Sequence, residues 1–401
     1  MVVLLIGKGY LPYITVGDKN YWFGLLSLLS RKNCKVFIAS INDNEKKILY
    51  QQTSSTKTPI YNISRPFHRN ASRFYGEKGK LRYYRHKHNP FQELIEILIT
   101  IISSLGLLKK LIHSHDIDVI HFIDNLGPAM RLIKWIFPYL YVTYSAPTYS
   151  PRGKLYNQYL KFSFEKLDKI IPHTEAYRKK LIDLGFSKEK LRVIRWSVNL
   201  PKKQMKLSQQ IELRRKMGVK PSDKLFLWSG FIQQIQIEDF WIALTVAKRI
   251  TKLYDFCHFI FAFKPQVFRQ EYTAHESDYI SIITNVQNFP DLLETADIFY
   301  SPVGNLSSIV SPPLTWIEAM ARGTPVLTNN VKGVDEIVIE RQTGFVAETI
   351  KDIEPTIIRV INDNNLAKIS ENARRWVAKK FNIETAAEMY VDLWREGVRR
   401  K

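Results

Sequence analysis

The sequence predicts an α/β protein of two domains, and three observations carry that expectation. Its 401 residues are enough for two hydrophobic cores, each in a domain of roughly 200 residues. Apolar runs of strand length recur at 1–7, 35–40, 118–124, 141–145, 224–230 and 258–263, with helical patterns between them. Cys34 and Cys257 are the chain's two cysteines, far apart and without metal-ligand spacing. The fold therefore needs no disulfide, and a reducing compartment suits it.

Taken in order, residues 1–7 are too short for a signal peptide and read as a buried first strand entering the Gly7-Lys8-Gly9 turn. Gly17 then heads a helix carrying Trp22, Leu25, Leu28 and Leu29, and residues 35–40 form a second strand. Small residues after a first strand let a ligand approach the backbone, although tight packing asks for them equally. Residues 65–88 are the most basic stretch: Arg65, Arg69, Arg73, Arg82 and Arg85 stand among aromatic residues, and Glu77 is the single acid. Such a segment suits a phospholipid headgroup surface or a solvated loop. The uncharged run 97–108 is too short to span a bilayer, which leaves an interfacial or a core helix. His113, His115 and His121 do not compose a metal set and read as structural. Strands at 118–124, 141–145 and 169–173 and the segment 191–201 complete the first half, and residues 201–205 read as a linker.

The second half opens with a strand at 224–230, a helix from Glu238 through Ala247 and a buried strand at 258–263. Its centre is 311–328. Ser311 is the expected N-cap and Pro312 the first helical residue, and the helix runs through Trp316 and Met320 to a stop at Gly323. A buried strand at 326–328 follows. The first helical turn offers the free N–H groups of Leu314, Thr315 and Trp316 and a positive dipole end, which suit a phosphate or a sugar hydroxyl. From residue 376 an amphipathic helical pattern recurs through Ala387, Tyr390, Val391 and Trp394.

Charge is divided unequally. Residues 1–200 hold 32 Lys and Arg against 14 Asp and Glu, a net +18, whereas residues 201–401 hold 27 against 24, a net +3. A field on one half favours an anionic surface or partner there. No recognisable nucleic-acid motif accompanies it, so nucleic acid is not an expected partner.

The motif E-A-M-A-R-G-T-P-V at 318–326 is preceded by Ala296-Asp297-Ile298-Phe299 and followed by Gly333-Val334-Asp335-Glu336-Ile337 and Thr343-Gly344-Phe345. This span of about sixty residues, 286–348, resembles the donor-domain signature of family 4 retaining glycosyltransferases. The resemblance implies the GT-B fold, an α/β architecture of two Rossmann-like domains facing each other across a cleft. It assigns 1–200 to the acceptor-side domain, 201–375 to the nucleotide-sugar domain and 376–401 to a helix returning to the first. The implied activity is metal-independent transfer of a sugar, with retention, from a nucleotide-sugar to a glycan or lipid-linked acceptor. The nucleotide-sugar is a substrate, and no cofactor is expected. A cytoplasmic protein, peripheral on the inner face of the membrane, fits that activity.

By the same resemblance Glu318 meets the nucleotide ribose, while Gly17, Gly230, Leu314 and Thr315 line the donor. Ser145, expected with Glu318 as a catalytic residue, stands where the family commonly has a histidine near the transferred sugar. Phe231 and Gln236 replace the arginine and lysine that clamp the donor diphosphate, and Val310 replaces a glutamate that contacts the donor sugar. Ser311-Pro312-Pro313 takes the place of a glycine-rich segment. A second expectation follows from these departures: a non-catalytic binding subunit that serves an active partner.

Overall fold

The computed structural model describes residues 1–8, 17–42, 58–64, 90–147, 153–230, 237–263, 270–284, 286, 288–304 and 313–400. It forms two compact units, one of Met1–Trp196 with Ile383–Lys401 and the other of Ser197–Asn382.

In the first unit the strands are β1 (Val2–Lys8), β2 (Lys35–Asn42), β3 (Ile60–Ser64), β4 (Val119–Phe122), β5 (Tyr141–Ala146) and β6 (Lys169–Pro172). They form one parallel sheet in the order β3-β2-β1-β4-β5-β6. The helices are α1 (Gly17–Arg31), α2 (Pro90–Ser103), α3 (Leu105–Ser114), α4 (Pro128–Ile136), α5 (Lys154–Phe164) and α6 (Glu175–Asp183). Because helices cover both faces, the strands are apolar on both sides and read as continuous hydrophobic runs. Leu4, Ile6, Ile120 and Phe122 pack with Ile101 and Leu108 of α2 and α3, Met130 and Ile133 of α4, and Leu160 and Phe164 of α5. Within the run 97–108, Ile101 and Leu108 thus face the core, whereas Ile102 is exposed. The run is divided at Ser104, whose hydroxyl donates to the Thr100 carbonyl (2.7 Å), and a helix read as continuous becomes two. The strand β3 carries Asn62 and Ser64 among its five residues, and its polar character kept it out of the apolar-run reading.

The second unit has α7 (Leu207–Lys216), β7 (Lys224–Gly230), α8 (Ile237–Leu253), β8 (Cys257–Phe263), α9 (Gln270–Thr273), β9 (Ile280–Thr284), α10 (Phe289–Thr295) and β10 (Ile298–Tyr300). It continues with α11 (Leu314–Ala321), β11 (Val326–Asn329), β12 (Gly344–Ala347), α12 (Ile353–Ile361) and α13 (Leu366–Lys380). Its sheet is again parallel, in the order β12-β11-β10-β7-β8-β9. Counted within each unit, both sheets have the order 3-2-1-4-5-6 of a Rossmann-like domain. The last helix, α14 (Ile383–Arg399), returns to the first unit and packs on α1 and β5. The chain changes units at Trp196–Ser197, before Pro201, and the Val198 N–H already donates to the Phe381 carbonyl inside the second unit (2.9 Å).

One device recurs at the strand starts. Asp118, Asp168 and Asp297 immediately precede β4, β6 and β10, and each carboxylate accepts the N–H of a residue at the start of the neighbouring strand. The donors are Val2 (2.7 Å), Val142 (2.7 Å) and Leu225 (2.8 Å). Parallel strands leave such N–H groups without a ladder partner at the strand starts, and a carboxylate one residue before the neighbouring strand reaches them. Asp297 also holds Arg214, and Asp168 holds Lys134 (2.7 Å). The aspartate in Ala296-Asp297-Ile298-Phe299 therefore works in the fold. So do two glycines of the motif span. Gly323 ends α11 at φ +84°, and a Cβ there would meet the Arg374 guanidinium at 2.3 Å. A Cβ on Gly344 would meet the Val326 carbonyl oxygen at 2.4 Å, so only glycine lets β12 lie this close to β11.

Candidate functional site

In the second unit β7 and β10 lie side by side, paired at Phe226–Ile298 and Leu227–Phe299. The connection from β7 runs through α8 to β8, and that from β10 runs through α11 to β11, on the other side. The carboxyl ends of these two strands therefore mark the point where the winding reverses, where parallel α/β sheets place their ligands. Gly230 ends β7 there, half-buried, and a Cβ on it would meet the Trp228 ring at 2.3 Å.

The segment after β10 is pinned from three sides. Asp239 of α8 accepts the Gly304 N–H (2.6 Å). Asn329, at the end of β11, accepts the Val303 N–H (2.8 Å) and donates to the Val303 carbonyl (3.1 Å). The Trp316 indole N–H of α11 donates to the Ser301 hydroxyl (2.9 Å). Of these three side chains, those of Asp239 and Asn329 were not singled out in the sequence as site residues. The signal available for them was a carboxylate and an amide flanking the strand ends at a switch point.

The helix α11 begins at Leu314 with Pro313 as its N-cap; Ser311 and Pro312 lie outside the described residues. Trp316, Ile317, Ala319, Met320 and Ala321 are buried, whereas Leu314, Thr315 and Glu318 are half-exposed. Spacings of three and four residues put those three on one face of the helix. The Trp316 N–H donates to the Pro313 carbonyl (3.0 Å), so of the three amides expected to serve a ligand this one is already engaged. Leu314 and Thr315, as the first two helical residues, have no intrahelical acceptor. The structure thus brings Leu314, Thr315 and Glu318 together beside the strand ends that include Gly230.

The remaining candidates are in the first unit or outside the described residues. Gly17 is the first residue of α1. Ser145, near the carboxyl end of β5, is fully buried, and its hydroxyl lies 2.8 Å from the Tyr390 hydroxyl and 3.1 Å from His121 Nε2. His121 Nδ1 lies 2.7 Å from the Thr143 hydroxyl, which also accepts the Trp394 indole N–H (3.2 Å). Burial, and then the neighbouring His173, hold His121 well below the usual histidine range, so its ring is neutral. A neutral ring has one donor and one acceptor nitrogen, and the two hydroxyls match them. Ser145 is thus held inside a neutral hydrogen-bonded chain anchored on α14. Arg65, Arg69, Arg73, Arg82 and Arg85 lie outside the described residues, as do Phe231, Gln236 and Val310.

Comparison with known proteins agrees with this architecture. Residues 20–201 match the model described as Glycosyltransferase Family 4, and residues 265–376 match that described as Glycosyl transferases group 1. The chain belongs to the family 4 glycosyltransferases. A curated relative from Escherichia coli, UDP-Gal:alpha-D-GlcNAc-diphosphoundecaprenol alpha-1,3-galactosyltransferase, is 30% identical over 117 residues, 28% of this chain and 29% of that protein. The aligned stretch thus spans less than a third of that relative's length. The crystal structure of a glycosyltransferase from Rickettsia africae superposes with a TM-score of 0.73 at 15% identity, covering 100% of this chain and 99% of the other. Anabaena HepE in complex with UDP superposes with a TM-score of 0.70 at 13% identity, over 99% and 100% of the two chains. At these identities the two structures bear on the fold alone, which is GT-B.

Proposed function

We propose that this protein is a retaining glycosyltransferase that moves a sugar from a nucleotide-sugar to a glycan or lipid-linked acceptor in polysaccharide or glycoconjugate synthesis. The observation that carries the reading is the half-exposed face of α11, with Leu314, Thr315 and Glu318 beside the switch point of the sheet. Glu318 accepts the two ribose hydroxyls of the nucleotide, and the Leu314 and Thr315 N–H groups donate to the diphosphate at the positive end of the helix. As the bond between the anomeric carbon and the diphosphate breaks, the incoming hydroxyl oxygen bonds to that carbon on the same face, and the departing phosphate oxygen takes the hydroxyl proton. The chain's part is positioning and stabilisation of the departing charge, with no metal assigned to it.

With Phe231 and Gln236 at the places of two cations, fewer charge-assisted bonds reach the diphosphate, so donor affinity is expected to be modest. The E. coli relative's printed substrate, a sugar on a lipid diphosphate, supports the choice of a lipid-linked acceptor class. The test incubates the protein with a panel of nucleotide-sugars and lipid-linked sugar acceptors and reads the product anomer by NMR. A product with the donor's anomeric configuration supports the proposal; an inverted product sinks the retaining step.

A second reading, a non-catalytic binding subunit, draws on one structural observation. Ser145, at the place of a histidine near the transferred sugar, is closed into a buried chain with His121 and Tyr390. Saturable donor binding with no turnover after long incubation would favour that reading.

A further inference from the structure

The helices α2 to α5 cover one face of the first sheet, and their outer side carries large apolar groups that are exposed among the described residues. Trp135 of α4 is 77% exposed, Leu155 and Phe162 of α5 are 82% and 50% exposed, and Tyr139, just beyond α4, is 55% exposed. Isolated apolar residues on a surface need no explanation. These four lie on adjoining elements, because α4 packs on α5. The Arg131 guanidinium of α4 lies 4.2 Å from the centre of the Phe162 ring, and Trp135 stands one turn further along the same helix. Leu155 and Phe162 are seven residues apart and share a face of α5.

The charge around this row is basic. Lys154, Lys161 and Lys166 are exposed beside it, and the nearby acids Glu165 and Asp168 are engaged by Arg131 (2.6 Å) and Lys134 (2.7 Å). Tryptophan and tyrosine with flanking lysines is the composition that settles at the boundary between headgroups and acyl chains. Among the described residues no helix is long and apolar enough to cross a membrane. The basic excess of residues 1–200 has the sign that an anionic lipid surface attracts.

We propose that the outer face of α4 and α5, with Tyr139, docks on an anionic phospholipid bilayer, inserting Trp135, Leu155 and Phe162 while the lysines meet the headgroups. The inference extends the lipid-linked acceptor reading, since such an acceptor resides in a bilayer, but it stands on the surface alone.

The experiment is flotation of the full chain with vesicles of phosphatidylcholine, with and without 30 mol% phosphatidylglycerol, for wild type and Trp135→Ala/Leu155→Gln. Both replaced side chains are exposed, so folding should be preserved; a thermal melt checks this. Wild type is expected to float with the anionic vesicles, less so in high salt, and the double variant to partition at least about tenfold more weakly while hydrolysing donor at the wild-type rate. Equal flotation of the two proteins overturns the proposal, because another surface then carries binding. So does a wild type that ignores the vesicles, or one that forms dimers which the double substitution abolishes. Turnover of donor is read separately, so loss of the transferase reading and loss of this one give different results.

Discussion

Asp239 gives the sharpest test of how the sheet holds the proposed donor site, because its hydrogen bond goes to the loop that follows β10. Its carboxylate accepts the Gly304 N–H at 2.6 Å and is buried beneath the segment that follows β10. The passage is tight: a Cβ on Gly304 would meet Ile242 at 2.7 Å. Asp239→Ala removes a charge-assisted bond and leaves the amide without its acceptor, at a cost of about 1.5–3 kcal/mol. For a unit of this size a loss of 1 kcal/mol lowers the melting temperature by roughly 2–4 °C, so the transition of the second unit should fall by roughly 3–12 °C. Asp239→Asn keeps an oxygen acceptor and should lose less than half as much. Differential scanning calorimetry of the three proteins, with donor affinity measured alongside, is the assay. Equal melting of wild type and alanine variant, or equal losses in both variants, would refute the idea that this bond holds the loop.

Further expectations concern the first unit. Ser145→Ala leaves His121 Nε2 and the Tyr390 hydroxyl short of a partner in a buried site, so stability should drop by about 1–3 kcal/mol in urea titration while donor hydrolysis changes little. A large fall in turnover at unchanged stability would return Ser145 to the chemistry. His173 is neutral because burial lowers its pKa to about 4, and its Nδ1–H donates to the Ile194 carbonyl (2.6 Å). The unfolded histidine takes up a proton below about pH 6.5 and the folded one only near 4. Its contribution is therefore complete above pH 6.5 and is lost as the pH falls towards 4, by up to about 3 kcal/mol. His173→Asn, which keeps an N–H for Ile194, should flatten the stability–pH curve in that window; an unchanged slope would show that other groups set it.

How much of this was legible in the sequence varies by element. The core strands were, because a sheet covered on both faces makes apolar runs such as 224–230 and 258–263 that need no alternation to be recognised. The polar β3 was not, and the single helix expected over the run 97–108 broke at Ser104, a residue ordinary enough in a helix until its hydroxyl bonds back to Thr100. On α11 the face carrying Leu314, Thr315 and Glu318 follows from helical spacing. Two features did not follow. Proline at the N-cap lets its carbonyl take the Trp316 amide, and the buried setting of Ser145 depends on Tyr390, 245 residues away in sequence. Contacts of that range leave no local mark. The family motif pointed to Glu318, whereas Asp239 and Asn329 emerge only when the strand ends are seen together.

The donor site itself is tested most directly by thermal stability and hydrolysis across a panel of nucleotide-sugars, on wild type and Glu318→Ala. The expected result is saturable stabilisation of wild type by one class of donor, slow hydrolysis of it, and an affinity lowered at least about tenfold in the variant, since two hydrogen bonds to a carboxylate are lost. Equal response of the two proteins, or no response of wild type to any donor, would contradict the placement of a nucleotide-sugar on α11.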